Sequence, residues 1–125
     1  HYVRAIIDGK KKVEFRRRKF GSRVDYIVVY STYPVQRIVA FFRVSHITEG
    51  SPSELWMKYK HAGGIDEEGF RTYYRSAKQA VAIGIDEVAV LNEPLPLEVL
   101  CGSLSPPQSF VYLSRALFER IRKHV

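Results

Sequence analysis

Between Asp25 and Ile47 the chain carries two runs, DYIVVYS (Asp25–Ser31) and RIVAFFRVSHI (Arg37–Ile47), dense in β-branched and aromatic residues. Such side chains fit a pleated surface and lose χ1 freedom in a helix, so each run predicts a strand. Tyr33-Pro34 closes the first, because proline cannot donate to a ladder. Whatever else the chain does, it must fold around a sheet.

The flanking segments alternate between helix-like and strand-like patterns. Tyr2, Val3, Ile6 and Ile7 recur at helical spacing over residues 2–8, and Gly9 is suited to stop that helix. Residues 12–20 read as a strand, with Val13 and Phe15 on one face and Glu14, Arg16 and Arg18 on the other. Ser51-Pro52-Ser53-Glu54 is a helix start, combining an N-cap serine, proline at the first position and a capping-box glutamate. That helix carries Leu55, Trp56 and Tyr59 and should stop near Gly63-Gly64. Asp66 can cap a second short helix holding Phe70, Tyr73 and Tyr74. Residues 79–91 predict a strand pair or one bent strand, with Gly84 or Asp86-Glu87 at the bend. Residues 92–109 hold four prolines and read as loop. Phe110–Leu113 is a last short strand, and Ser114 can cap a terminal helix using Leu117, Phe118 and Ile121. Five or six strands with short helices between them suit a mainly β, α+β architecture: a small, partly open β-barrel with helices at its ends.

A length of 125 residues fits one domain spanning 1–125, and 46% apolar content supports a real core. No repeat, low-complexity tract or linker interrupts it. The single cysteine, Cys101, can form no intramolecular disulfide and sits in the proline-rich stretch without a neighbouring activator, which suits a structural residue in a reducing, cytoplasmic setting. No apolar run approaches the ~18–20 residues that span a bilayer, so no membrane partner is expected. The four histidines are scattered, and no motif calls for a metal or another cofactor.

The charge is unevenly placed. Residues 1–23 hold nine Lys/Arg against Asp8 and Glu14, a local net charge of +7. Residues 24–112 carry −3 and residues 113–125 carry +3. A basic end of this kind attracts polyanions by counterion release, and it equally serves as a solubilising face.

Within that basic end lies Gly9-Lys10-Lys11-Lys12-Val13-Glu14-Phe15-Arg16, which fits G-x-K-x-x-E-x-R. Gly9 permits a sharp turn from helix into strand. Lys11 then sits at the turn while Glu14 and Arg16 leave one face of the strand, so a lysine, a carboxylate and a guanidinium can converge. Arginine suits bidentate contact with phosphate or a base edge, and lysine meets phosphate as a point charge. A glutamate can accept from an exocyclic amine or a ribose hydroxyl. Glu14 also suits a purely structural ion pair with Lys11 or Arg16. Trp56, Tyr59, Tyr73 and Tyr74 are at spacings that serve either base stacking or helix packing.

This motif at the start of a strand resembles the hallmark of ASCH domains, members of the PUA-like β-barrel superfamily. The resemblance continues through Val29-Tyr30-Ser31, Arg37–Ile47, the helical insertion from Ser51 to Tyr74 and the closing Pro106-Pro107-Gln108-Ser109-Phe110-Val111-Tyr112. It implies a PUA-like barrel of five or six strands; members usually have a short strand before the first helix, and the expectation for a sequence read from His1 is that this strand is lacking or that the first edge of the barrel is built differently. It further implies a cleft that binds RNA or a nucleotide through Lys11, Glu14 and Arg16, with Arg17 and Arg18 adding charge and Ser31, Gln108 and Ser109 near the rim.

Three functions follow as expectations. The first is an RNA- or nucleotide-binding module, in RNA metabolism or in regulating transcription or translation. The second is a small hydrolase. Related ASCH proteins are amidohydrolases acting on N4-acetylcytidine through a lysine and a threonine three residues later, and others act as ribonucleases. Here Glu14 stands at that threonine position, where it and Lys11 would be the catalytic pair. The third is a protein-interaction coregulator domain whose partners the sequence does not identify.

Overall fold

A computed structural model describes residues 2–18, 24–31, 34–96, 110–113, 119 and 122. The elements run α1 (Tyr2–Ile7), β1 (Val13–Arg16), β2 (Tyr26–Ser31), β3 (Arg37–Gly50), α2 (Pro52–Tyr59), α3 (Glu67–Tyr73), β4 (Ala80–Leu95) and β5 (Phe110–Leu113). The five strands form one antiparallel sheet in the order β1-β4-β3-β2-β5, curled into a half-barrel.

Period two along β4 sorts the core. Val81, Ile83 and Ile85 join Ile27, Val29, Ala40 and Phe42 around Ile6, so α1 covers that part of the sheet. Ala80 and Ala82 face the other way, and their small side chains leave room for Phe15, Leu55, Phe70 and Tyr74 beneath α2 and α3. A third cluster holds Val28, Tyr30, Ile38, Phe41 and Leu91.

The cap chemistry forms as expected. Ser51 accepts from the Glu54 amide while the Glu54 carboxylate accepts from the Ser51 amide. Hydrogen bonding to the Ser51 amide, and next to the Ser51 side chain, also holds the Glu54 carboxyl below its ordinary value. Asp66 caps α3 by accepting from the Gly69 amide.

Three expectations need correction. The first strand ends at Arg16 instead of running to residue 20, and Arg17 and Arg18 lie in a bend, so Arg18 does not share the strand face with Glu14 and Arg16. β1 pairs with β4 only as far as Arg16 opposite Val81, and beyond that point the Arg17 side chain turns to a main-chain carbonyl of α3. The third strand continues past Ile47 to Gly50, because Thr48, Glu49 and Gly50 find partners in Ala82, Val81 and Ala80. Residues 92–95 belong to β4 and not to a loop. Pro94 is tolerated there because β1 covers only Val81–Gly84, leaving Pro94 outside the stretch paired on that side.

Residues 80–95 form one continuous strand, and two of its three irregularities fall where the bend was expected, while the third lies further along, between Val90 opposite Ala40 and Leu95 opposite Ile38. Glu87 has φ 44°, and the pairing with β3 shifts between Phe41 and Arg43. Arg43 spans the bulge through Asp86 and Glu87. A second shift lies between Val44, opposite Ile85, and Ile47, opposite Ile83, so Ser45 and His46 both stand against Gly84. A Cβ at Gly84 would overlap the Ser45 hydroxyl and the His46 ring. The expected terminal helix is represented only by Glu119 and Arg122, both helical and joined by an ion pair of 2.9 Å.

Candidate functional site

The motif segment is first fixed by its backbone. Gly9 takes φ +76°, the left-handed conformation expected of a helix-ending glycine. The amides of Lys10 and Lys11 then both donate to Ala5 O at 2.9 and 3.0 Å. The next two amides, of Lys12 and Val13, both donate to Ala62 O at 2.7 and 3.0 Å. One short stretch is therefore pinned to the end of α1 and to the turn after α2.

That pinning sends Lys11 inward. Its side chain is 4% exposed, the one buried charge among the described residues. Gly63 and Gly64 roof it: Lys11 Nζ donates to Gly63 O at 2.6 Å, and Gly64, at φ +66°, lies directly over the aliphatic stem. A Cβ at Gly63 would overlap the Phe15 ring, so this close approach depends on glycine. The same Nζ lies 3.1 Å from Glu14 Oε1. The other carboxylate oxygen lies 3.6 Å from Arg16 Nη1. Glu14 is 13% exposed and Arg16 40%, so this chain of charges runs from interior to surface. Glu14 and Arg16 share a face because strand alternation puts Val13 and Phe15 into the core on the other side.

α3 supports the outer end. Tyr74 donates its hydroxyl to Arg16 O at 2.7 Å. Burial, and next the neighbouring Tyr73, push the Tyr74 phenol well above its ordinary pKa. Arg17 donates through Nε and Nη2 to Tyr73 O, at 2.9 and 2.7 Å, and its guanidinium lies 4.5 Å from the Tyr73 ring centroid. Arg18 is exposed in the bend. Of the remaining predicted site residues, Ser31 is half-buried at the end of β2 opposite Arg37, with β3 and β4 between its strand and β1. Gln108, Ser109 and Cys101 lie outside the described residues.

Sequence reasoning did not find Gly63, Gly64, Tyr73 and Tyr74 as partners of the motif. The glycine pair reads locally as a helix stop, and nothing local says that the stop will rest on a lysine 52 residues earlier. Tyr74 is buried, whereas Trp56, Tyr59 and Tyr73 pack half-buried against the same cluster.

Two further features flank the motif. On β3, Ser45 Oγ is 2.9 Å from His46 Nδ1, and Tyr59 OH is 3.3 Å from His46 Nε2 and 2.9 Å from Thr48 Oγ1. Between α2 and α3 runs a groove of about 480 Å³ whose lining includes Trp56, Phe70 and Tyr74. Among the described residues no group of three or more His, Cys, Asp or Glu could hold a metal, and no helix is long and apolar enough to cross a membrane.

Comparison with known proteins bears on this arrangement. No family model matches the chain. The ASCH domain-containing ribonuclease of Zymomonas mobilis is 30% identical over 118 residues, covering 91% of this chain and 79% of that protein. The crystal structure of ASCH from Zymomonas mobilis superposes with a TM-score of 0.84 at 27% identity, over 98% of this chain and 87% of that one. Its S128A mutant gives 0.85 at 26% identity, over 98% and 88%.

Proposed function

The chain belongs to the ASCH-domain family, and from that premise we propose that it binds single-stranded RNA along the surface formed by Arg16, Arg17 and Arg18. The observation that carries this reading is the seating of Arg17. Two of its nitrogens are already committed to one main-chain oxygen, so the guanidinium is held in place before any ligand arrives. A prepositioned guanidinium loses less side-chain entropy when it meets a phosphate. Arg16 is steadied in a similar way by Glu14 and by the Tyr74 contact to its own carbonyl. Lys11 acts from behind, holding Glu14 so that the carboxylate can accept from a ribose hydroxyl or a base amine.

The test is a fluorescence-anisotropy titration of labelled single-stranded RNA at several salt concentrations. The triple variant Arg16→Glu, Arg17→Glu, Arg18→Glu should abolish binding, and each lost phosphate contact should lower the salt slope by about 0.7. An affinity untouched by the triple variant overturns the proposal.

A second reading is favoured by the 30% identical relative, which is a ribonuclease. In it Glu14 takes the proton of a ribose 2′-hydroxyl and that oxygen attacks the adjoining phosphorus. The bond to the 5′-oxygen breaks, the 5′-oxygen takes a proton from solvent, and Arg16 faces the charge on the phosphate. Glu14→Gln should then retain RNA binding and lose cleavage of an end-labelled oligonucleotide. Release of acetate from N4-acetylcytidine, without RNA cleavage, would point to amide hydrolysis instead.

A further inference from the structure

The groove between α2 and α3 has a floor made of rings. Trp56 lies 4.8 Å from Phe70 and Phe70 lies 4.7 Å from Tyr74, centroid to centroid. The Tyr74 hydroxyl is committed to Arg16 O, so it is drawn toward the motif strand. The lip is polar: Arg71 Nη2 and Glu67 Oε2 pair at 3.0 Å, placing a planar donor and an acceptor side by side. Met57, 69% exposed, also lines the groove. Glu67 and Arg71 also line a second, adjoining hollow that ends at Arg75.

A ring floor with a donor–acceptor lip suits a planar aromatic ligand carrying hydrogen-bonding edges. A nucleobase has that chemistry, since every base presents a π-face and a polar edge. The charge nearby fits the rest of a nucleotide. Arg17 sits on Tyr73, the residue immediately before floor residue Tyr74, while Arg71 lies in the last turn of α3 and Arg75 in the turn that follows it. Arg71 lines the groove itself, Arg75 lines the adjoining hollow, and Arg17 lies on Tyr73, so cations stand where a phosphate backbone would leave the groove.

We propose that this groove is a base-stacking subsite, in which Trp56 takes one base of a single-stranded RNA whose neighbouring phosphates lie on Arg17 and Arg71. The inference rests on the RNA-binding reading above and names where one base of that RNA goes.

Trp56 is the sole tryptophan, so intrinsic emission reports the groove alone. The experiment titrates the full chain with a single-stranded oligoadenylate and with a ribose-phosphate oligomer of equal length that lacks bases. Anisotropy of an end label and tryptophan emission are read together. Oligoadenylate should bind and quench Trp56, while the abasic oligomer should bind through the arginines without quenching. Met57→Ser, an uncharged change at an exposed residue of the groove, should weaken oligoadenylate severalfold and leave the abasic oligomer unaffected. If both oligomers bind equally, emission stays constant and Met57→Ser changes neither, the groove proposal falls and the RNA reading stands. If neither oligomer binds, both fall.

Discussion

The two ends of the motif segment differ in what their charges do. Lys11 is enclosed by Gly63, Gly64 and Glu14, and its donors are turned to the protein. Six and seven residues on, Arg17 and Arg18 are exposed. A run that reads as one basic tract therefore holds an inner cation that builds the domain and outer cations that stay at the surface. The lesson is that net charge alone assigns neither job. Which backbone oxygens lie within reach decides which cation turns inward.

Predicted effects on stability should fall steadily from the inner end to the outer. Lys11→Met should cost about 3 kcal/mol in urea unfolding, because Glu14 Oε1 and the Gly63 carbonyl both lose the donor that Lys11 supplies, leaving Glu14 with Arg16 alone. Adding Glu14→Gln should recover part of that loss, and no recovery would mean that the pair is not the reason Lys11 is buried. Gly63→Ala should cost about 2 kcal/mol by pressing a methyl group into the Phe15 ring. A neutral result would show that the roof can lift.

Tyr74→Phe should cost about 1 kcal/mol near neutral pH by removing the bond to Arg16 O. It should also change the alkaline limb. The folded phenol holds its proton beyond the point where the unfolded chain releases it, so stability is full below the ordinary value of 10.0 and falls as pH rises through it. Unfolding curves across that range should show a shallower alkaline loss in the variant. Arg18→Ala should change stability by less than about 0.5 kcal/mol. Its effect should appear instead in RNA affinity and salt slope, and a stability loss as large as that of Lys11→Met would erase the contrast between the two ends.

Much of the fold was legible because the signals are local. The strand runs at residues 25–31 and 37–47 and the caps at Ser51 and Asp66 carry their own reasons, and all four formed. Gly9 and the shared face of Glu14 and Arg16 were legible for the same reason: one needs only a backbone preference, the other only period two. The end of β1 was not legible, because Arg17 and Arg18 would suit an exposed strand chemically and only the absence of a partner beyond Val81 stops it. Pro94 misdirected the reading of residues 92–95, since a strand's open side is a property of the sheet and not of the residue. The burial of Lys11 was invisible for a similar reason. It depends on a distant glycine pair meeting the turn at one particular height.

The spans of the contacts around the motif bear on when the site comes into being. Lys11 reaches Gly63 across 52 residues, Arg17 reaches Tyr73 across 56, and Tyr74 reaches Arg16 across 58. β1 also needs β4, whose pairing residues are 81–84. By contrast β2 and β3 meet through a short connection, Ser31 opposite Arg37. Closing a long loop costs more entropy than closing a short one, and contacts between distant residues slow folding. The β2–β3 hairpin should therefore form early and the motif last. On a ribosome, a nascent chain that has not yet emerged past residue 84 would carry the basic sequence without the geometry that gives its charges separate roles.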